Sequence, residues 1–503
     1  MLRNLVLVSL VNILFFIIAC CGFSDSLEIR PKRRNWTNWT GYATCKIDSL
    51  FTPATEDELI HLVQRAYQLG KKIKVIGAGH SLNTIALPEK GQWALSLENY
   101  ASILEVDISK KTIRVQGGAT LKQIIETLHQ YGLTLENLSS SLQPTIGGAI
   151  QTGSHGSGIA FGPIHTQIVE MTVINGQGKL TQISPHQSPL LFQAYQCGLG
   201  ILGIINTVTL RAVPAHLLQE RLFADKWPNL LDHLDSLIHE NDHFSFVWFP
   251  YINRVGVCTA NQVDRANEIP KTIAKDSSPI DYLIRAVKNE NKTRKVRSLE
   301  DIIVLSLKNP SLIPRMNLAL FEMEYGKSYS RVDDSHRILS AKCPKRSTTY
   351  SAEGAIPFLS TKPFLLELQE LIEKNQYPAH QVISVRFVKS DRALLSPTYS
   401  GQPEDLFCFV GIFSIVPASH PTLHQAYFSA FEQLIERYHG RMHWGKNGLF
   451  NPEYLRQTYP EWSTFLKIRE EEDPSGIFLN EFSRSRFLLF RSVAWVPSTG
   501  VTS

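Results

Sequence analysis

Three glycine-rich segments lie in order along the first half of this chain and constrain its fold more than any other feature. They are Gly77-Ala78-Gly79-His80-Ser81, then Thr145-Ile146-Gly147-Gly148-Ala149 with its continuation Thr152-Gly153-Ser154-His155-Gly156-Ser157-Gly158, then Cys197-Gly198-Leu199-Gly200-Ile201-Leu202-Gly203-Ile204-Ile205. The alternating run Ile73-Lys74-Val75-Ile76 predicts a strand before the first segment, so a tight turn presents His80 at a strand end. Glycines there let backbone amides approach an anionic pyrophosphate. The second segment mixes glycine with hydroxyl residues and can wrap phosphate oxygens. The third is apolar and suits the face of a flat ring system. Singly, each has a plainer reading: a surface or core histidine, an ordinary glycine loop, close helix packing. Their order is more specific than any one of them.

The intervening pattern predicts mixed helices and antiparallel strands. Thr55 and Glu58 have capping-box spacing ahead of Leu59, Leu62, Val63, Ala66 and Tyr67 on one helical face, and that helix ends at Gly70. Strands are expected over Ile103 to Asp107 and Thr112 to Gln116, followed by a helix burying Leu121, Ile124, Ile125 and Leu128. Asn175-Gly176-Gln177-Gly178 is hairpin chemistry between strands at Ile168 to Ile174 and Lys179 to Ile183. This is an α+β class, unlike the strict alternation of a Rossmann fold. Beyond Pro214 a second domain begins, with aromatic strands expected at Phe244 to Tyr251 and Leu318 to Tyr325 and a helix at Phe364 to Lys374. Asn267 to Asp301 is polar and charged and reads as a long excursion or mobile loop.

With 503 residues, the chain is long enough for two or more globular units. Its formal charge of +5 is spread rather than concentrated, which argues against nucleic acid as a partner. Leu5 to Phe23 is apolar apart from Ser9 and Asn12 and reads as an export signal or an uncleaved anchor; Ile17-Ile18-Ala19-Cys20 also has the form of a lipoprotein cleavage box. An exported or membrane-associated protein is expected. Arg30 to Trp39 reads as a surface lead-in, with folded structure from about Gly41. Five cysteines outside the leader, Cys45, Cys197, Cys258, Cys343 and Cys408, are too scattered for a disulfide framework or a zinc site, so no metal is expected.

In this order, the three glycine segments resemble the FAD-binding domain of the vanillyl-alcohol oxidase superfamily, the PCMH type. Near the C terminus, Arg441-Met442-His443-Trp444-Gly445-Lys446 and Asp473-Pro474-Ser475-Gly476-Ile477-Phe478-Leu479-Asn480 are similar to the closing motifs of the aldonolactone oxidases. Phe246 to Tyr251 and Phe321 to Tyr325 are similar to cap-domain segments of that family. The resemblance implies a leader at 1–24, a two-subdomain FAD-binding domain at 40–215, an α+β substrate (cap) domain with an antiparallel sheet at 216–438, and a C-terminal segment returning to the flavin at 439–490. It implies FAD joined covalently to His80. Cofactor positions carried over are Ile76, Gly77, Ala78, Gly79, Ser81, Gly117, Thr145, Ile146, Gly147, Gly148, Thr152, Gly153, His155, Gly156, Gly203, Ile205 and Lys446. Catalytic positions are Lys446, Arg386 and His443: Lys446 as a positive charge beside the reduced flavin, His443 in proton handling or simply packed.

Two positions bear on chemistry. In Val382-Ile383-Ser384-Val385-Arg386-Phe387 the family's Glu-x-Arg strand keeps Arg386 but carries Ser384 in place of the Glu. A carboxylate that accepts two hydroxyl hydrogen bonds has become a short neutral hydroxyl, leaving the substrate open. Gly117 stands where the resemblance places Ala in galactonolactone dehydrogenases, and its smaller size is expected to leave room for oxygen at the flavin. The leading expectation is oxidation of a sugar lactone or polyol with oxygen as acceptor. Two others stand beside it: a membrane-associated dehydrogenase passing electrons to a quinone or cytochrome, and a non-catalytic flavin or sugar-binding protein.

Overall fold

The computed structural model describes residues 32–264, 299–340, 349–417, 420 and 422–487. The expected leader at 1–24 and most of the excursion at 267–301 lie outside the described residues, as does Cys343; the excursion's last residues open a helix at Leu299–Lys308.

Paired structure begins before Gly41, within the polar stretch read as a lead-in. Lys32–Thr37 (β1) pairs antiparallel with Thr44–Phe51 (β2), placing Trp36 opposite Cys45. Exposed charged residues on an edge strand look like a linker in sequence, because backbone pairing leaves no apolar alternation on that strand. Helix Glu56–Gln68 follows, with the Thr55 side chain accepting from the Glu58 amide as the cap spacing predicts. Ile73–Ile76 (β3) and Trp93–Ser96 (β4) complete a four-stranded sheet in the order β1-β2-β4-β3.

A second sheet is antiparallel throughout. It contains Ile103–Asp107 (β5), Thr112–Gln116 (β6), Ile168–Asn175 (β8), Leu180–Ile183 (β9) and Gly203–Arg211 (β10) in the order β5-β6-β10-β8-β9. Helix Leu121–Gln130 buries the four residues its periodicity marks. Leu133–Thr134 (β7) pairs with Val213–Pro214 (β11) where the domain ends.

The remaining strands form one eight-stranded antiparallel sheet: Leu217–Lys226 (β12), His243–Phe249 (β13), Arg254–Val263 (β14), Tyr329–Asp334 (β15), Thr349–Pro357 (β16), Ile383–Lys389 (β17), Leu406–Ile415 (β18) and Arg441–Met442 (β19). Their order is β15-β12-β14-β13-β17-β18-β16-β19. Helices Thr361–Asn375 and Gln425–Arg437 cover it with Phe364 and Phe431 packed edge to face. One expected strand is a helix: Leu318 to Tyr325 belongs to Leu312–Tyr325. Leu312, Met316, Ala319 and Leu320 cluster at helical spacing, and the aromatics that suggested a strand, Phe321 and Tyr325, instead pack edge-on against Phe249. Among the described residues no helix is long and apolar enough to cross a membrane.

The N-terminal domain and the eight-stranded sheet are joined through backbone. Gly158 donates to the Phe387 carbonyl at 2.7 Å, and Lys389 to that of Phe161 at 2.9 Å. The glycine-rich second segment is therefore set against the strand that carries Ser384 and Arg386.

Candidate active site

The cavity between the two domains is built first by backbone approach. A Cβ on Gly77 would lie 2.3 Å from Thr145 Oγ1, so the first two glycine segments can touch only because residue 77 has no side chain. Thr145 in turn accepts from the Gly148 amide at 3.3 Å and starts the short helix Ile146–Gln151. The C-terminal segment closes the other side: Leu82 donates to the Gly445 carbonyl at 2.7 Å, and Asn83 Nδ2 to the carbonyls of Trp444 and Lys446. His80 and Lys446, far apart in sequence, thus share one wall.

Asp473 and Asn480 explain the rest of the closing motif as structure. Asp473 accepts from the amides of Ile477 and Phe478, and Asn480 Nδ2 donates to the carbonyls of Thr84, Ile85 and Leu87. These contacts pin the strand-to-loop region that delivers His80.

Most expected site residues line this cavity: Gly77, Ala78, Gly79, His80, Ser81, Thr145, Gly147, Gly148, Thr152, His155, Gly203, Ile205, Arg386, His443 and Lys446, with Ser384 among them. Five do not. Ile76 packs with Ile47, Leu50 and Ala94, and Ile146 lies in the main core. Gly153 backs onto Pro397, and Gly156 onto Asn137 and the Leu138 carbonyl. Gly117 also faces away: a Cβ there would lie 2.2 Å from the Ile205 carbonyl oxygen. The space that the missing methyl leaves is taken up by this backbone carbonyl, so the close approach of β10 requires a glycine at 117.

The ring of His80 stacks on Trp39 with centroids 5.4 Å apart. Burial, reinforced by the nearby Lys446 charge, pulls its imidazole down to about 4, so it is neutral near pH 7. His443 is fully buried and pulled down to about 3 by burial; its Nδ1 accepts from the Gly445 amide at 2.9 Å, which requires the lone pair there. It is held as a neutral, packed imidazole. His155 stacks face to face on Phe409, centroids 3.6 Å apart.

The residue that sequence reading missed is Glu353 on β16. It is buried, lines the cavity, and lies 3.7 Å from Lys446 Nζ and 3.5 Å from His155 Nε2. Burial would raise its carboxyl, but Lys446, His155 and His443 outweigh that and hold it well below the usual carboxylate range. No local motif marks it, because its partners come from three other segments. His155, Glu353 and His443 also have metal-like proximity. The Lys446 ammonium already compensates Glu353, however, and disfavours a second cation there.

A flavin dinucleotide fits these residues. Lys74, on the strand leading into the first glycine turn, lines the cavity with its side chain buried; burial pulls its amine down to about 8. Glu89 is its electrostatic partner, and among the described residues its side chain makes no hydrogen bond, so its amine is placed beside the glycine amides to meet an anionic group. Leu199, Gly200, Ile204 and Ile205 supply the apolar wall.

The sequence profile described as an FAD binding domain matches residues 47–184, and that of D-arabinono-1,4-lactone oxidase matches residues 208–486, more than half the chain. The chain belongs to the D-arabinono-1,4-lactone oxidase family. This aldonolactone oxidase-family protein is an FAD-dependent oxidoreductase with a PCMH-type fold. It is 31% identical to the L-gulonolactone oxidase of Bos taurus over 90% of its own length and 97% of the relative's. It is 29% identical to the L-gulono-1,4-lactone dehydrogenase of Mycobacterium tuberculosis over 89% and 98%. A cholesterol oxidase from Brevibacterium sterolicum shares the fold, with a TM-score of 0.73 at 15% identity over 92% of this chain and 98% of that one.

Proposed function

We propose that this chain oxidises an aldono-1,4-lactone or related polyol at an FAD tethered to His80 and passes the electrons to oxygen, releasing hydrogen peroxide. The observation that carries the tether is the neutral His80 ring, stacked on Trp39 in the cavity wall beside the glycine turn. A neutral imidazole has the free lone pair that a bond to carbon requires. Bound FAD supplies a two-electron acceptor for the hydride of a carbinol carbon. In a lactone that carbon is C2, and the 2-keto lactone formed relaxes to the enediol.

The protein's own groups bind and neutralise. Lys446 lines the cavity beside His80 and would supply positive charge to a reduced flavin held there. Arg386, also on the cavity wall, offers a fork of donors to the substrate's ring and hydroxyl oxygens. Stacked His155 and packed His443 hold their rings in place and shield the site from water. Relatives named oxidases support oxygen as acceptor. Relatives named dehydrogenases and the apolar residues 5–23 favour a second reading, in which a membrane-associated enzyme reduces a quinone or cytochrome. The same apolar run supports export or anchoring.

Acid denaturation tests the tether: yellow, fluorescent protein is expected, and flavin recovered wholly in the supernatant would overturn it. Peroxide formed in step with lactone consumed supports oxygen; reoxidation by a quinone but not by air assigns the second reading. Rapid anaerobic bleaching of the flavin by a lactone or alditol would rule out a protein that only binds.

A further inference from the structure

The cap sheet brings a carboxylate to the place where the Glu-x-Arg strand lacks one. Ser384 on β17 is directly opposite Gly411 on β18, and Gly411 is directly opposite Glu353 on β16. Residues paired across antiparallel strands project to the same face, so all three belong to one row on the face that lines the cavity. The middle member has no side chain. A Cβ on Gly411 would lie 2.7 Å from Ser384 Oγ and 3.5 Å from both Cγ and Cδ of Glu353, so the two neighbours lean over the same gap. Arg386 stands two residues along β17 on that face.

The charge balance is that of a group prepared for hydroxyls. Lys446 at 3.7 Å and His155 at 3.5 Å keep the carboxylate ionised, yet neither lies at the short distance of a strong charge-assisted bond. An ionised carboxylate has about four acceptor directions, and a buried one left partly unused is costly unless a ligand fills it.

We propose that Glu353 is the substrate-contacting acid of this site, accepting hydrogen bonds from hydroxyls of the lactone or polyol across the side-chain-free gap at Gly411, in the place that Ser384 leaves empty. The inference rests on the lactone and polyol reading above and names the residue that gives it specificity. Selectivity follows from chemistry: substrates with free hydroxyls next to the oxidised carbon gain from the carboxylate, whereas an alcohol without them leaves it unpaired.

The test uses the FAD-loaded full chain, reduced without air by L-gulono-1,4-lactone, D-arabinono-1,4-lactone or sorbitol and followed by flavin bleaching. In Glu353→Gln, flavin content and melting temperature stay near wild type while the concentration for half-maximal bleaching rises about 10- to 100-fold, the effect of losing one or two charge-assisted bonds. Adding Ser384→Glu to Glu353→Ala returns at least tenfold of the lost affinity, because the acid re-enters the same gap from β17, on the other side of Gly411. Wild-type saturation in Glu353→Gln overturns the proposal. So does a variant that loses flavin or melts early and is not recovered by Ser384→Glu, since Glu353 would then be structural. If wild type itself is bleached by none of these compounds, the lactone and polyol reading fails first and this inference falls with it.

Discussion

Asn83 donates one side-chain amide to the carbonyl oxygens of both Trp444 and Lys446, and through that contact the loop bearing His80 and the C-terminal segment bearing Lys446 become one rigid wall. Its own Oδ1 accepts from the Ile85 amide at 3.0 Å, so the side chain is used on both ends. Asn83→Ala leaves two buried carbonyls without this donor and is expected to cost about 1–3 kcal/mol. Denaturant unfolding should show that loss. Because Lys446 is then free to shift, the rate of flavin bleaching should fall more than the flavin content does.

His80→Ala separates attachment from binding. Gly77, Thr145, Lys74 and the apolar wall remain, so the variant should still bind FAD, but acid should release all of it. Turnover is expected to fall at least tenfold, since the proposed imidazole link, which would raise the flavin's oxidising power, is then absent. Visible absorbance of the protein before and after acid precipitation, with a lactone assay beside it, decides the matter; colour that stays with the acid-precipitated variant would move the attachment elsewhere.

Gly117→Ala tests the role that the cavity geometry takes away from this position. The added methyl meets the Ile205 backbone carbonyl, which cannot move without disturbing the β8–β10 pairing of Ile205 with Val173. The expected result is a loss of stability of about 1–3 kcal/mol. In the folded fraction, peroxide formed per substrate consumed should not change. A stable variant that no longer reacts with oxygen would restore the gating role.

His380 and His443 shape the acid limb of stability. Both are fully buried, and burial lowers their pKa values to about 4 and about 3 from an ordinary 6.5. Between those values the unfolded chain takes up a proton that the folded chain refuses, so stability is full above about pH 6.5 and declines as pH falls toward 4. Each group adds up to about 1.4 kcal/mol per pH unit to that slope. Denaturant midpoints measured from pH 7.5 to 4.5 should fall, and His380→Gln, remote from the cavity wall, should flatten the decline. A pH-independent midpoint over that window would contradict the assignment.

How legible was the site? Local chemistry marked the parts governed by backbone shape: glycine turns, caps and hairpins announce themselves because only a few residue types can occupy them. It failed where the deciding contact is non-local. Phe321 and Tyr325 are aromatic enough for a strand, but Leu312, Met316, Ala319 and Leu320 set a helical period over a longer window. Lys32–Thr37 has a linker's composition and becomes a strand because β2 supplies its hydrogen bonds. Gly117 reads as an opening in sequence and is closed by another strand's carbonyl.

The sequence alone determined the ordered glycine segments, and the resemblance they carry implied an FAD domain paired to a cap sheet, one site for His80 and Lys446, and a missing acid at residue 384. Only the tertiary structure decided what stands in its place. Glu353 and Ser384 lie on consecutive strands of the chain that are not neighbours in the sheet, and they face one gap because register sets Gly411 of β18 between them. Register across an antiparallel sheet depends on packing of the whole face, and no local pattern of residues encodes it.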